Sequence, residues 1–260
     1  MFDLPGLRSR ERGEGAPVIL IHGFPFNQNI WNDFADKLAL GFRVITIDLP
    51  GFGETPILPG PFSIDDVGRE LLSWIQQAKL QGSVMIGHSL GGYVALSIAS
   101  AEASLLSGLA LFHSTALADS EEKKQSRNKV IEFIESNGVS AFTSNFISPL
   151  FAEPNSPAIA RVRSIATEAS RDAVTRYTMA MRDRKDQTAT LKAFKAPLLF
   201  VTGEKDPGIT VESIEKQASL CRSAHVYVLQ DVAHMGMFEN EKRCLEIFRK
   251  FIGECQLPRK

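Results

Sequence analysis

The sequence of 260 residues has little cysteine and no pattern in the cysteine that it has. Cys221, Cys244 and Cys255 are odd in number, and their spacing fits neither a disulfide framework nor paired metal ligands. The first ten residues mix an acid, a proline and two arginines, so no secretory signal is evident. These features predict a reducing, cytoplasmic location.

Charge of one sign and long apolar runs are also missing. Lysine and arginine total 29 against 30 acidic residues, a net charge of -1 that offers no electrostatic attraction to a phosphate backbone or an anionic membrane surface. No segment approaches the roughly 20 apolar residues of a membrane helix. We therefore expect neither nucleic acid nor a membrane as a partner.

Short apolar runs recur along the chain with helical patterns between several of them. The runs are continuous, as in strands that are buried on both faces of a parallel sheet. One intervening helix begins after Ser63, where Asp66 completes a capping box. This alternation predicts an α/β fold, a mostly parallel central sheet flanked by helices, with ligands at the carboxyl ends of the strands. The predicted strands are 17–21, 43–47, 84–86, 109–112, 198–202 and 226–229.

The stretch 114–195 breaks the alternation and predicts an inserted helical cap. It contains no convincing strand, and helices are predicted at 121–135, 139–150, 158–169 and 171–183. The core domain would then comprise residues 1–113 and 196–260. Most apolar cap residues should pack helix against helix, but some hint at a pocket for a small, mostly apolar substrate. The candidate pocket residues are His113, Phe142, Phe146, Tyr177, Met179 and Met181.

Residues 87–92 read GHSLGG, a Gly-x-Ser-x-Gly motif. An apolar strand precedes it and a helix rich in small residues follows, which is the setting of a nucleophile elbow. Glycine is needed at positions 87 and 91 because the turn is cramped, and Ser89 Oγ would then project into the cleft. The helix that begins after Ser89 directs backbone N–H groups at the site and favours a developing negative charge.

Five motifs in order resemble the α/β-hydrolase fold superfamily over about residues 16–252. They are HGF at 22–24, DLPGFG at 48–53, GHSLGG at 87–92, GEKD at 203–206 and AHM at 233–235. The resemblance implies an oxyanion hole built from the backbone N–H groups of Phe24 and Leu90, with His22 in a structural role. It implies no cofactor, and no histidine and carboxylate cluster at metal-ligand spacing stands out. Only one short strand, near residues 7–12, fits before the HGF strand, where members commonly have two.

A serine nucleophile requires a base and an acid. Of five histidines, His234 lies in the loop after the last strand, where this superfamily keeps its base, whereas His225 is placed in a strand. Asp206 follows the strand 198–202 and gives the order serine, acid, histidine. Asp231 and Asp119 are the rivals as the acid, and Asp48 is expected to stabilise a turn.

The implied activity is acyl transfer: cleavage of an ester or related carbonyl bond of a small molecule through an acyl-enzyme on Ser89. Haloalkane dehalogenases and epoxide hydrolases of this fold use an aspartate at that position, so those reactions are not expected. Enol-lactonases, carbon-carbon bond hydrolases and perhydrolases share the triad and remain alternatives. A ligand-binding receptor on a hydrolase scaffold is a further alternative. The sequence does not indicate an oligomeric state.

Overall fold

The computed structural model describes residues 6–257, and within them seven strands form one sheet. Every predicted strand is present, several of them longer by a few residues, and the expected short N-terminal strand is also there. The strands are β1 (Ser9–Arg12), β2 (Pro17–Ile21), β3 (Arg43–Ile47), β4 (Ser83–His88), β5 (Leu106–Phe112), β6 (Leu198–Gly203) and β7 (Ala224–Leu229).

The sheet has the order β1-β3-β2-β4-β5-β6-β7. All neighbours are parallel except β1, which pairs antiparallel with β3. The chain runs from β2 outward to β3 and then returns to β4 on the other side of β2. In parallel α/β sheets the crevice at such a reversal is the expected place for a ligand site. The HGF loop after β2 and Ser89 after β4 both lie there.

Helices cover both faces of the sheet. The predicted capping box is present, since the Ser63 hydroxyl accepts from the Asp66 N–H and the Asp66 carboxylate accepts from the Ser63 N–H. Two large apolar clusters, which include Trp74 on one face and Phe248 on the other, form the core. The helices that pack on the sheet are α1 (Asn32–Leu38), α2 (Ile64–Gln77), α3 (Leu90–Glu102), α8 (Val211–Ala218), α9 (Gly236–Glu239) and α10 (Glu241–Cys255).

The segment between β5 and β6 is helical, as predicted, with some differences in the bounds. The first two predicted helices form one helix, α4 (Glu121–Phe146), which kinks at Gly138, where φ is 80°. The chain then forms a 3-10 helix (Ser148–Leu150), α5 (Ala158–Thr167) and α6 (Arg171–Arg182). A further helix, α7 (Thr188–Ala193), was not predicted because its six residues are too few for a helical pattern.

Strand β7 is less buried than the sequence predicts. β7 was expected to be buried on both faces, but it is half-exposed because it is the edge strand. Among residues 6–257, no helix is both long enough and apolar enough to cross a membrane. The cytoplasmic location stays a prediction.

Candidate active site

Ser89 lies in the sharp turn between β4 and α3. Its φ of 51° and ψ of -115° lie in a region that a residue with a side chain seldom adopts. A hydrogen bond of 2.9 Å from the Ser89 N–H to the Phe112 carbonyl holds the turn against β5. The strained turn projects Ser89 out of the sheet, and its side chain lines a cavity.

The glycines on both sides of Ser89 are required by close backbone approach. A Cβ at Gly87 would lie 2.4 Å from the Gly91 carbonyl oxygen, and a Cβ at Gly91 would lie 2.4 Å from the Ile21 carbonyl oxygen. Contacts that short do not occur, so a side chain at either position would force the backbone apart. Close approach of the backbone therefore explains why the Gly-x-Ser-x-Gly motif has glycine at both positions.

The HGF loop after β2 packs directly against the serine. A Cβ at Gly23 would lie 3.2 Å from Ser89 Cβ. Buried His22 holds the loop, because its Nε2 accepts from the Leu49 N–H at 3.0 Å and its Nδ1 donates to the Gly23 carbonyl at 2.9 Å. Within residues 6–257, the N–H groups of Phe24 and Leu90 have no hydrogen-bond acceptor. The HGF loop and the start of α3, which meet at Ser89, therefore each carry a backbone N–H group without an acceptor.

Asp206 and His234 come together from loops after two different strands. The Nδ1 of His234 donates to Asp206 Oδ2 at 2.8 Å, which leaves the Nε2 of a neutral imidazole with its lone pair free. Asp206 Oδ1 accepts from the N–H groups of Gly208 at 2.9 Å and Ile209 at 3.0 Å. The carboxylate is thus fixed in orientation, and it fixes the imidazole in turn.

The pKa of Asp206 is lowered from its usual value despite burial. Desolvation is the largest single influence and raises it, but the attraction of His234 and the hydrogen bonds from His113 and His234 together outweigh it. Asp206 is consequently an anion at neutral pH.

His113 was expected to line the substrate pocket, and this expectation is wrong. Its ring is fully buried, and its Nδ1 donates to Asp206 Oδ2 at 3.0 Å, the same oxygen that His234 uses. Its Nε2 accepts from the Gly236 N–H at 3.3 Å. Both ring nitrogens are used, so His113 faces the carboxylate rather than the cavity.

His113, Asp206 and His234 also form the one group of possible metal ligands found among residues 6–257, with ligand atoms within 4.8 Å of one another. The hydrogen bond from Gly236 places the lone pair of His113 on Nε2, so Nδ1 carries a proton and points it at Asp206. A protonated nitrogen cannot bind a metal ion. These three side chains therefore fit a proton-bonded network better than a metal centre.

The other acidic candidates have partners of their own. Asp231 is an exposed residue that pairs with Lys205 at 2.7 Å. Asp48 accepts from the Gln28 N–H at 2.7 Å, from the Gln28 amide at 2.8 Å and from the Glu54 N–H at 3.2 Å, a turn-stabilising set. Asp119 lies between two arginines. Asp206 alone of the four contacts His234.

His88 lies beside Ser89 in sequence but points into the core. Its Nε2 donates to the His234 carbonyl at 3.0 Å, and its buried Nδ1 has no partner among the described residues. Burial lowers the pKa of His88 well below the usual value, so the ring is neutral. The hydrogen bond from the His88 ring to the His234 carbonyl thus helps to hold the His234 loop in place.

A cavity of about 590 Å³ opens beside Ser89 and His234. The predicted residues Phe142, Phe146 and Met181 line it, together with Phe24. The Ser89 hydroxyl forms no hydrogen bond within residues 6–257. In enzymes without substrate the hydrogen bond between nucleophile and base is often open.

Tyr177 and Met179 do not line this cavity, contrary to expectation. Tyr177 is fully buried against Phe52, with ring centroids 4.8 Å apart, and against Phe62 at 4.9 Å. Met179, on α6, is 38% exposed on the outer surface. An apolar residue on a helix faces core, pocket or solvent according to tertiary packing, which the helical pattern does not specify.

Sequence reasoning missed the charged residues of the cavity. Lys123 and Arg127 on α4 and Arg184 after α6 line it, and Asp119 pairs with both arginines. The spacing of four between Lys123 and Arg127 puts them on one helix face, which was the available signal.

The sequence profile of the α/β hydrolase fold family matches residues 16–241. An esterase from Thermogutta terrifontis, solved with malate bound, superposes with a TM-score of 0.91 at 29% identity and covers 96% of this chain and 94% of its own. The 2-hydroxy-6-oxo-6-(2'-aminophenyl)hexa-2,4-dienoic acid hydrolase of Metapseudomonas resinovorans is 26% identical over 90% of this chain and 82% of its own length.

The dihydrolipoyllysine-residue acetyltransferase component of the acetoin cleaving system of Pseudomonas putida is 26% identical over 86% of this chain. The chain spans only 60% of the length of that protein. The family profile, by contrast, takes in most of the chain, from β2 to the start of α10. The chain belongs to the α/β-hydrolase fold family.

Proposed function

We propose that the protein is a serine hydrolase that cleaves an ester bond of a small substrate through an acyl-enzyme on Ser89. The observation that carries the proposal is the hydrogen-bonded pair of Asp206 and His234 beside the cavity that the strained Ser89 lines. Similarity to the Thermogutta terrifontis esterase supports an ester as the substrate.

The chemistry follows from the proton positions. Ser89 Oγ attacks the carbonyl carbon while its proton passes to the free Nε2 of His234. The carbon-oxygen bond to the alcohol breaks as His234 returns that proton to the leaving oxygen. Water then attacks the acyl-enzyme, gives a proton to His234 and releases the acid, and Ser89 recovers its proton. Asp206 stays an anion and stabilises the imidazolium in both halves.

The free N–H groups of Phe24 and Leu90 supply the oxyanion hole in this proposal. Leu90 is the first residue of α3, where N–H groups have no partner in the helix and the helix dipole favours negative charge. By comparison with other enzymes, loss of one such donor costs about 3 kcal/mol in the activation barrier. Donors fixed in the backbone need no reorganisation during the reaction.

The helices between β5 and β6 act as a cap that closes the cavity over Ser89. Phe142 and Phe146 come from α4 and Met181 from α6, so the cap supplies much of the cavity wall. Residues 114–195 form this cap in our proposal, and the described residues on either side of it, 6–113 and 196–257, form the core. The cap thereby sets the size of the substrate.

A carbon-carbon bond hydrolase is the second candidate. Its support is the similarity to the Metapseudomonas resinovorans dienoic acid hydrolase over most of both chains. The same serine, base and acid serve that reaction.

Hydrolysis of 4-nitrophenyl esters from acetate to decanoate by the wild type and by Ser89→Ala tests the proposal. We expect turnover of short esters by the wild type and a loss of about a million-fold in kcat for the variant, as when a catalytic serine is removed from other hydrolases. A fluorophosphonate probe should label the wild type at Ser89. Equal rates for the two proteins, with no label at Ser89, would refute the assignment and favour a receptor.

A further inference from the structure

Asp119 lies between two arginines at one end of the cavity. Its Oδ1 accepts from Arg184 Nη1 at 2.6 Å, and its Oδ2 accepts from Arg127 Nε. The side chains are well buried, with 2% of Asp119, 6% of Arg184 and 16% of Arg127 exposed. Two cations against one anion leave a net positive charge at this end of the cavity, and partly buried charges attract an anion more strongly than fully exposed ones do.

The two arginines differ in how many donors they have left. Arg184 donates to the carbonyls of Leu117 and Met181 as well as to Asp119, and it stacks on Tyr93 at 4.2 Å. Arg127 uses its Nε on Asp119 and one weak contact of 3.8 Å from Nη1 to the Met181 sulfur. Its Nη2 has no acceptor within residues 6–257. Arg127 therefore offers free donors to the cavity, whereas Arg184 is structural.

Lys123 adds a second free cation on the same wall. It precedes Arg127 by one helical turn, and its side chain has no acidic partner in the described part of the chain. Its Nζ lies 4.0 Å from the position of a Cβ at Gly208, in the loop that carries Asp206. Like charges at this spacing repel each other unless an anion lies between them.

We propose that Arg127 and Lys123 form a carboxylate-binding subsite, and that the substrate is a small ester whose acyl chain carries a carboxylate, such as a monoester of a dicarboxylic acid. This inference rests on the proposed function. The apolar wall formed by Phe24, Phe142 and Phe146 suits the methylenes between the two carbonyl groups. We place the charge on the acyl part, because an anion there would stay bound to Arg127 and Lys123 through both acylation and deacylation. The substrate is then not the mostly apolar molecule that the sequence suggested.

Matched ester pairs test the subsite. The monoethyl esters of succinate through pimelate are compared with the ethyl esters of the corresponding monoamides, which have the same shape without the charge. We expect kcat/KM to favour the carboxylate by about tenfold or more at the best chain length, and this preference to shrink as salt is added. A ratio of one or less at every chain length would overturn the subsite.

Substitutions on α4 test whether Arg127 and Lys123 cause the preference for a carboxylate. Arg127→Gln and Lys123→Gln should each lower the ratio of carboxylate to carboxamide kcat/KM by about tenfold. Lys129→Gln is the matched control, because Lys129 is an exposed lysine of α4 that does not line the cavity, and its ratio should equal that of the wild type. A preference that survives the double substitution of Arg127 and Lys123 would contradict the proposal.

Calorimetry on Ser89→Ala separates this inference from the proposed function. The monoethyl ester should bind to this protein, and addition of Arg127→Gln should weaken Kd by about tenfold. If binding follows Arg127 but no ester is hydrolysed through Ser89, the subsite stands and the proposed function fails. If Ser89 hydrolyses carboxylate and carboxamide esters equally, the function stands and the subsite fails.

Discussion

His113 and His234 donate their Nδ1 hydrogens to the same oxygen of Asp206, at 3.0 and 2.8 Å. They come from loops after different strands, β5 and β7, and their ring centroids are 5.5 Å apart. One carboxylate oxygen of Asp206 thus accepts hydrogen bonds from a histidine that faces the cavity and from one that is fully buried. We expect His113 to act on the proposed reaction through Asp206, as a positioning residue.

Replacement of His113 should change the pH profile as well as the rate. In His113→Leu the competing donor is gone, so Asp206 stabilises the protonated form of His234 more strongly, and the acid limb of kcat/KM should move to higher pH. We expect kcat to fall by about tenfold because Asp206 is held less well. His113→Asn, whose amide can donate near the position of Nδ1, should restore much of both. An unchanged acid limb in His113→Leu would assign His113 to packing alone.

Asp206→Asn should reduce kcat by about 10⁴-fold, because an amide cannot accept hydrogen bonds from two N–H donors with the strength of a carboxylate, and the tautomer of His234 is no longer fixed. Asp231→Asn is the control, since Asp231 is three residues from His234 but exposed and paired with Lys205. Its kcat should stay within about twofold of the wild type. Steady-state kinetics on one ester decides between the two carboxylates.

Gly87→Ala should destabilise the fold by about 2 kcal/mol or more, since its Cβ would lie 2.4 Å from the Gly91 carbonyl oxygen. Gly253→Ala is the opposite case. That residue lies in α10 with nothing within 4 Å of its Cβ position, and alanine should stabilise the helix by up to about 1 kcal/mol. Urea unfolding measures both, and equal midpoints would show that the turn relaxes around the added methyl group.

Stability should fall as the pH drops below about 6.5, the usual pKa of histidine. Burial lowers the folded-state pKa of His22, His88 and His113, so the unfolded chain binds protons that the folded protein does not. The stability from neutral histidines is complete above the unfolded pKa and is lost as the pH falls toward the folded value. Each proton contributes up to about 1.4 kcal/mol per pH unit.

Urea midpoints between pH 7.5 and 5 measure this loss. Asp206 adds little in that window, because its own contribution is lost only below the unfolded pKa of about 3.9. A midpoint that is constant down to pH 5 would mean that the buried histidines take up protons without unfolding.

Local steric rules made part of the site predictable. The need for glycine on both sides of Ser89 is predictable because the turn is formed by only a few consecutive residues. The positions of Asp206 and His234 are predictable because each follows a strand, and apolar runs in the sequence show where the strands end. The roles of His113 and Arg127 depend on partners far away in the chain. His113 meets a carboxylate 93 residues later, and Arg127 faces a cavity whose other walls come from α6 and the Asp206 loop. Sequence periodicity does not predict contacts between residues that are so far apart in the chain.

The kink at Gly138 divides α4 into two arms. The first arm carries Lys123 and Arg127, and the second carries Phe142 and Phe146. Ser89, Asp206 and His234 all lie outside the segment between β5 and β6. Under the proposals above, the residues that would select for charge and those that would select for chain length lie on different arms of α4, and both sets lie apart from Ser89, Asp206 and His234. Replacement of one arm of α4 would then change one of these two selectivities. A chimera that takes residues 114–195 from a related protein would change both in one step.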